Sequence, residues 1–256
     1  MRNGDVALTF DDGPYIYTAA LLDLLARYSV KASFFVVGSN GNGDIDQVSQ
    51  WADLIRRMYA ESHHVASHTW THPYLTRLSS ADRREQMYRN EEALANILGV
   101  IPTYMRPPYL DFDDATGADM ADLGYHVIST NLDTLDWQNF TPETIQQSLN
   151  IFSDATNASP ASSSFIVLNH DIYRTTVYTE VEFEIQRLQS RGYRAVTVGE
   201  CLGDSPANWY RPASGTAQAA ISPGDISSTM LEGSGMAPPT SSCDRPGAVS
   251  GTTCGT

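Results

Sequence analysis

Over roughly the first 200 residues, short apolar runs alternate with longer stretches in which apolar side chains recur at helical spacing. Val6, Ala7, Leu8 and Phe10 form a first buried strand, broken at once by Gly13-Pro14. Leu21, Leu22, Leu25 and Tyr28 predict an amphipathic helix over 18–29. Ala32–Val37 is an almost unbroken apolar run ending at Gly38, as in a strand covered on both faces. After the loop Asn40-Gly41-Asn42-Gly43, Val48, Trp51, Ile55 and Met58 mark a second helix. His64–Ser67 is a third strand.

Ser79, with Asp82 three residues on, opens a helix that runs through Met87, Leu94, Ile97 and Leu98 and stops at Gly99. Tyr104–Arg106 is a brief strand closed by Pro107-Pro108. A short helix near Gly117–Leu123 precedes a strand over His126–Thr130. Thr141-Pro142 begins a helix with Ile145, Leu149 and Phe152 on one face. The strand Phe165–Leu168, a helix through Val177, Val181, Ile185 and Leu188, and the strand Arg194–Val198 complete the series.

Strands alternating with helices in this way imply parallel pairing through right-handed crossovers. The expected fold is α/β, a closed or nearly closed barrel, because each polar cluster of interest falls just after a strand. An open doubly wound sheet is the alternative, but no glycine-rich phosphate loop follows the first strand. Beyond residue 212 the chain turns to Ser, Thr, Gly, Pro and Ala without periodicity. One domain over 1–211 and a flexible linker or tail over 212–256 are expected.

An apolar fraction of 41% in 256 residues is enough for a real core. The formal charge of −14 argues against nucleic acid or an anionic membrane surface as partner, and favours a neutral polymer or a product that becomes cationic. No run approaches the ~20 apolar residues of a membrane span. Met1-Arg2-Asn3-Gly4-Asp5 is not a signal peptide, which leaves an intracellular chain or one trimmed of its leader. The sequons at Asn139 and Asn157 tilt slightly towards secretion. Cys243 and Cys254 could close a small loop and leave Cys201 over; three free thiols is the alternative.

Five polar clusters carry the chemistry. Thr9-Phe10-Asp11-Asp12-Gly13-Pro14 delivers adjacent carboxylates to a strand end, where they repel unless a cation or proton holds them; Asp-Gly turn chemistry is the plain alternative. Ser67-His68-Thr69-Trp70-Thr71-His72 sets two histidines at i and i+4, which meet on one face if the segment forms a helical turn. With one carboxylate they would make a two-histidine, one-carboxylate face with open positions. Arg106-Pro107-Pro108-Tyr109 is stiff, either as a plain connector or as a support for the Arg106 guanidinium and the Tyr109 backbone N–H. Asp133-Thr134-Leu135-Asp136-Trp137 and Leu168-Asn169-His170 each follow a strand, and beside a metal His170 is the natural general acid.

Taken in order, these five clusters closely resemble the motifs of the polysaccharide deacetylases, the NodB-homology group or carbohydrate esterase family four, across roughly residues 5–200. Asp133–Trp137 and Cys201–Arg211 look most like the fungal chitin deacetylases. The resemblance implies a distorted (β/α)7-type barrel and one divalent metal ion on Asp12, His68 and His72, zinc by first choice, with cobalt(II) or another divalent ion as the alternatives. It implies Asp11 as the base that takes a proton from water, the Tyr109 N–H as an oxyanion donor, and His170 as the acid that protonates the leaving amine. Arg106 would steady Asp11 and Asp136 would orient His170, although these two pairings could be exchanged. Trp137 and Leu168 would line the acetyl pocket. The implied substrate is chitin or its oligomers, for a monomeric protein secreted or in the cell wall with its leader removed. An acetylxylan esterase, a peptidoglycan deacetylase and a non-catalytic carbohydrate-binding homologue are the competing expectations.

Overall fold

Residues 1–213 are described by the computed structural model. In chain order the elements are β1 (Asp5–Asp11), α1 (Thr18–Arg27), β2 (Ser33–Val36), α2 (Ser49–Ala60), β3 (His64–Ser67), α3 (Ser80–Leu98), β4 (Val100–Pro102), β5 (Tyr104–Met105), α4 (Asp114–Asp122) and β6 (His126–Val127). They continue with β7 (Leu132–Asp133), α5 (Gln146–Ala155), β8 (Phe165–His170), α6 (Val181–Arg191), β9 (Arg194–Val196), α7 (Val198–Leu202) and β10 (Tyr210–Pro212).

Strand β1 is buried at every position because it has neighbours on both edges and cover on both faces. It pairs in parallel with β8 along Val6–Asp11. Its other edge is shared, β9 taking Asp5–Ala7 and β2 taking Thr9–Asp11. The sheet runs β6-β5-β3-β2-β1-β8-β7, all parallel, with β9 branching from β1. It curls into a half-barrel whose edge strands β6 and β7 are joined by only a few residues of chain.

Side chains alternate across this curved sheet. Val6, Leu8 and Phe10 pack outward with Leu21, Leu25, Ile55 and Leu94 of the surrounding helices. Ala7, Phe35, Ala66 and Ile166 face the interior, where they meet Trp209 and Cys201. Thr9 and Asp11 share the inward face of β1, and Leu168 and His170 that of β8. Register does the rest: Asp11 lies opposite His170 on one side and Phe35 on the other, which gathers the catalytic candidates at the C-terminal strand ends.

The α/β barrel of parallel strands expected from the sequence is the observed class. The strand read over 126–130 is shorter than expected, and the added strand β7 joins the opposite edge of the sheet. Thr130 and Asn131 make that crossing by bonding to the Ile166 carbonyl. The helix expected from Thr141 starts later, at Gln146, because Thr144 and Thr141 bond to each other in a preceding turn. Helix α3 matches its end signals: the Ser79 hydroxyl accepts from the Asp82 N–H, and Gly99 is left-handed at φ 75°. An antiparallel ribbon of β4 and β10, not foreseen, straps Tyr210–Pro212 to the barrel. Among the described residues no helix is long and apolar enough to cross a membrane. Cys201 is buried and has no disulfide partner among the described residues, whereas Cys243 and Cys254 and nearly all of the expected 212–256 tail lie outside them. Asn139 is buried, so its sequon is closed to modification in the folded chain.

Candidate active site

The end of β1 turns sharply at Asp12, which adopts a left-handed φ of 75°. Gly13 follows, and a Cβ there would lie 2.2 Å from Asp171 Oδ2, so only glycine fits. Asp171 in turn accepts from the Thr18 hydroxyl, which accepts from the Tyr15 N–H, pinning the turn from below. Asp11 and Asp12 therefore part company: Asp11 stays on the inward face of the strand and Asp12 swings towards the loop after β3.

That loop is not the helical turn expected from the i, i+4 spacing of its histidines. Thr69 and His72 are both left-handed, at φ 70° and 58°, and the chain doubles back instead of coiling. The histidines still converge, with ring centroids 4.9 Å apart. His72 Nε2 lies 3.1 Å and His68 Nε2 3.5 Å from Asp12 Oδ1. One ligand atom from each of Asp12, His68 and His72 falls within 4.8 Å of the others.

Donor chemistry supports a cation at this point. His68 Nδ1 is 2.7 Å from the Arg106 carbonyl, an acceptor, so that nitrogen carries the proton. In the neutral ring, Nε2 then presents a lone pair to Asp12 Oδ1, and that buried oxygen has no hydrogen-bond partner among the described residues. Two acceptors facing each other need a positive charge between them. Burial alone would raise the Asp12 carboxyl, but His68, His72 and His170 outweigh it and hold it well below the usual carboxylate range.

Asp11 is 3.6 Å from His68 Nε2 and turns its other oxygen to Arg106 Nη1 at 2.7 Å. The same nitrogen donates to Thr9 Oγ1, so the guanidinium is fixed on two residues of β1, with its flat face 4.1 Å from the Phe35 ring centroid. Arg106 is wholly buried; burial lowers its pKa and the Asp11 carboxylate resists that shift. Of the two pairings left open by the sequence, the structure joins Arg106 to Asp11 and Asp136 to His170.

His170 Nδ1 is 2.7 Å from Asp136 Oδ1, and the His170 N–H donates to Asp136 Oδ2 at 2.7 Å. The Thr176 hydroxyl adds a third bond to Oδ2. Burial disfavours the imidazolium, yet Asp136, then Asp12 and Asp11, push His170 up to about 10. A charged imidazole and a carboxylate thus flank the cation position.

Tyr109 follows the diproline in a left-handed conformation (φ 60°, ψ 12°), its ring 4.6 Å from that of His72. Its N–H is used by neither hydrogen bond of its own turn, which are made by Leu110 and Asp111. Trp137 stands exposed beside Asp136, with its indole N–H 3.4 Å from Asp133 Oδ2, and Leu168 is buried on the face of β8 that carries His170. Sequence reasoning missed Thr9, Thr176 and Asp171; a lone hydroxyl or carboxyl gives no signal until its partner's position is known.

A carboxylate outside the candidate ligand set, an imidazole held by a carboxylate and a candidate cation position between them are an arrangement that can furnish base, acid and electrophile, as cleavage of an unactivated carbonyl bond by water requires. The class is a hydrolase. The polysaccharide deacetylase family model matches residues 1–128. The chitin deacetylase of Colletotrichum lindemuthianum is 50% identical over 208 residues, 81% of this chain and 83% of that protein. Its solved structure superimposes with a TM-score of 0.80 at 49% identity, covering 82% of this chain and 92% of that one. A peptidoglycan-N-acetylglucosamine deacetylase, PgdA of Listeria monocytogenes, is 36% identical over 79% of this chain and 40% of its own length. The chain belongs to the polysaccharide deacetylase family, whose hydrolases act on N-acetyl groups of sugars.

Proposed function

We propose that this protein hydrolyses the N-acetyl groups of N-acetylglucosamine units in chitin or chitin oligomers, releasing acetate and a free amino sugar. The observation that carries this is the pairing of Arg106 with Asp11 and of Asp136 with His170 on either side of the Asp12–His68–His72 cluster, in a chain 50% identical to a chitin deacetylase.

Asp12, His68 and His72 would hold one divalent cation, zinc or cobalt(II), which when bound polarises the amide carbonyl and makes water more acidic. Asp11, held by Arg106, accepts the proton of the attacking water. The Tyr109 N–H donates to the oxygen on which negative charge develops. His170, kept protonated by Asp136, gives its proton to the departing nitrogen so that the product leaves as an amine. Trp137 and Leu168 frame the acetyl methyl. A polymer substrate of this kind, together with the chitin deacetylase resemblance, supports a protein working outside the cell or in the cell wall.

The test is acetate release from chitin oligomers by purified protein, stripped with a chelator and then given zinc or cobalt(II), with peptidoglycan and acetylated xylan in parallel. Metal-dependent release greatest on chitin oligomers supports the proposal. Greater release from either other polymer would reassign the substrate, and no release from any would remove the activity.

A further inference from the structure

Two consecutive non-glycine residues, Tyr109 and Leu110, are left-handed at φ 60° and 54°. L-residues avoid this region because Cβ crowds the following carbonyl. The turn's own bonds, Leu110 N–H to Pro107 O and Asp111 N–H to Pro108 O, close it but leave Tyr109 no compensation through its amide. What grips the turn comes from a different loop. The Tyr74 ring lies flat on the Tyr109 ring, with centroids 3.9 Å apart and planes 12° from parallel. The Arg77 guanidinium covers Tyr74 at 4.0 Å. One residue beyond the strained pair, the Asp111 carboxylate accepts from the Thr76 N–H at 2.8 Å and from the Thr76 hydroxyl at 2.8 Å and 2.9 Å.

All three gripping residues lie just after His72, Tyr74 as the N-cap of the 3₁₀ turn Leu75–Arg77 and Thr76 and Arg77 within it. The ligand loop and the Tyr109 loop are thus joined twice, by ring stacking on one side of the strained pair and by a carboxylate on the other. Both aromatic rings remain partly open to solvent, Tyr74 at 37% and Tyr109 at 56%, so the stack is not an incidental part of the core. Its effect is to hold Tyr109 left-handed, with its ring 4.6 Å from that of His72.

We propose that Tyr74 and Thr76 are positioning residues that set the Tyr109 N–H against the ligand loop. This rests on the assignment of that N–H as the oxyanion donor. The donor acts on charge that appears only in the transition state, so loosening the clamp lowers kcat and leaves KM nearly unchanged. A stack that instead served as a platform for a sugar ring would do the reverse, raising KM with kcat intact.

The test compares wild type with Tyr74→Ala, Tyr74→Phe and Thr76→Val on chitotetraose, all loaded with zinc. Removing an oxyanion donor outright costs about 10²–10³ in kcat, so a misaimed donor should cost roughly 10–100-fold. Tyr74→Ala is expected to lose that much kcat with KM within about twofold of wild type. Tyr74→Phe, which keeps the ring, should stay near wild type, and Thr76→Val should move in the same direction as Tyr74→Ala. Zinc binding measured by titration calorimetry should be unchanged in all three. In a crystal structure of Tyr74→Ala, Tyr109 should leave the left-handed region. Wild-type kcat in Tyr74→Ala and Thr76→Val, a rise in KM alone, or Tyr109 still near φ 60° in Tyr74→Ala would each overturn the proposal. If Tyr74→Ala fails to fold, Thr76→Val and Tyr74→Phe decide. Wild-type protein that releases no acetate from chitotetraose would instead remove the underlying deacetylase assignment.

Discussion

The Arg106 carbonyl holds His68 Nδ1 at 2.7 Å while the guanidinium of the same residue holds Asp11 Oδ1 at 2.7 Å. One residue thereby fixes the tautomer of a candidate ligand with its backbone and the orientation of the candidate base with its side chain. The two duties separate under mutation. Arg106→Met keeps the carbonyl but leaves the Asp11 carboxylate buried without its partner, a loss of about 3–5 kcal/mol in stability. Arg106→Lys offers a point charge in place of a planar fork and should recover only part of the stability and activity. Denaturant unfolding of the three proteins checks the order wild type, lysine, methionine.

Asp11→Asn should bind zinc as wild type does and lose about 10²–10⁴ in kcat, because it removes a base and no ligand. His72→Ala should lose both zinc and turnover. Calorimetry with zinc, read beside acetate release, separates the two cases. An active Asp11→Asn would mean that the base is elsewhere.

The charge on His170 depends on Asp136. In metal-free protein the imidazole should titrate near 10, followed by NMR, and Asp136→Asn should lower that value. Because the folded value lies above the ordinary one of about 6.5, the pair stabilises the fold fully below that pH and the contribution is lost as pH rises through 10. Asp136→Asn should therefore cost most stability at pH 6 and progressively less as pH rises from about 6.5 to 10. In catalysis the alkaline limb of kcat/KM should move down with the same substitution.

Behind Asp136, Glu180 and Glu184 are fully buried, and Glu184 Oε2 accepts from the Asn169 side chain. Burial raises both carboxyls well above the usual range, and Glu184 adds its charge to Glu180. The folded chain keeps protons that the unfolded chain releases above about pH 4.3, so this pair destabilises the fold as pH rises. Glu184→Gln should gain on wild type between pH 5 and pH 9 by on the order of 1 kcal/mol, about 2–4 °C in Tm. Thermal melts across that pH range are the measurement.

Chelation should abolish acetate release and lower Tm, and added zinc should restore both. Ligand linkage gives about 4 kcal/mol of stabilisation at free zinc a thousandfold above Kd. His72→Ala should show no such rise.

Much of this was legible before any coordinates. Buried strands announce themselves by apolar runs, and each polar cluster followed one, so the strand ends could be named as the site. Spacing misled at His68 and His72, where i, i+4 suggested a helical turn but the chain reaches the same convergence through left-handed Thr69 and His72. Short strands such as Leu132–Asp133 have too few residues to show a period, and their identity comes only from the partner at Val167 and Leu168. The ribbon of β4 and β10 joins segments about a hundred residues apart, which no local pattern encodes. The Tyr74–Tyr109 stack was invisible for the same reason.

Strand β1 lies between β2 on one edge and β8 on the other, with β9 completing its first half. During synthesis the first strand must wait, its far edge unfilled, until some 160 residues more have emerged. A ribosome-bound chain halted before Phe165 would hold Asp12, His68, His72 and the β2 neighbour of Asp11, but neither His170 nor the β8 neighbour. Synthesis thus delivers the candidate metal ligands well before the candidate proton donor, and the site cannot be assembled until β8 has emerged.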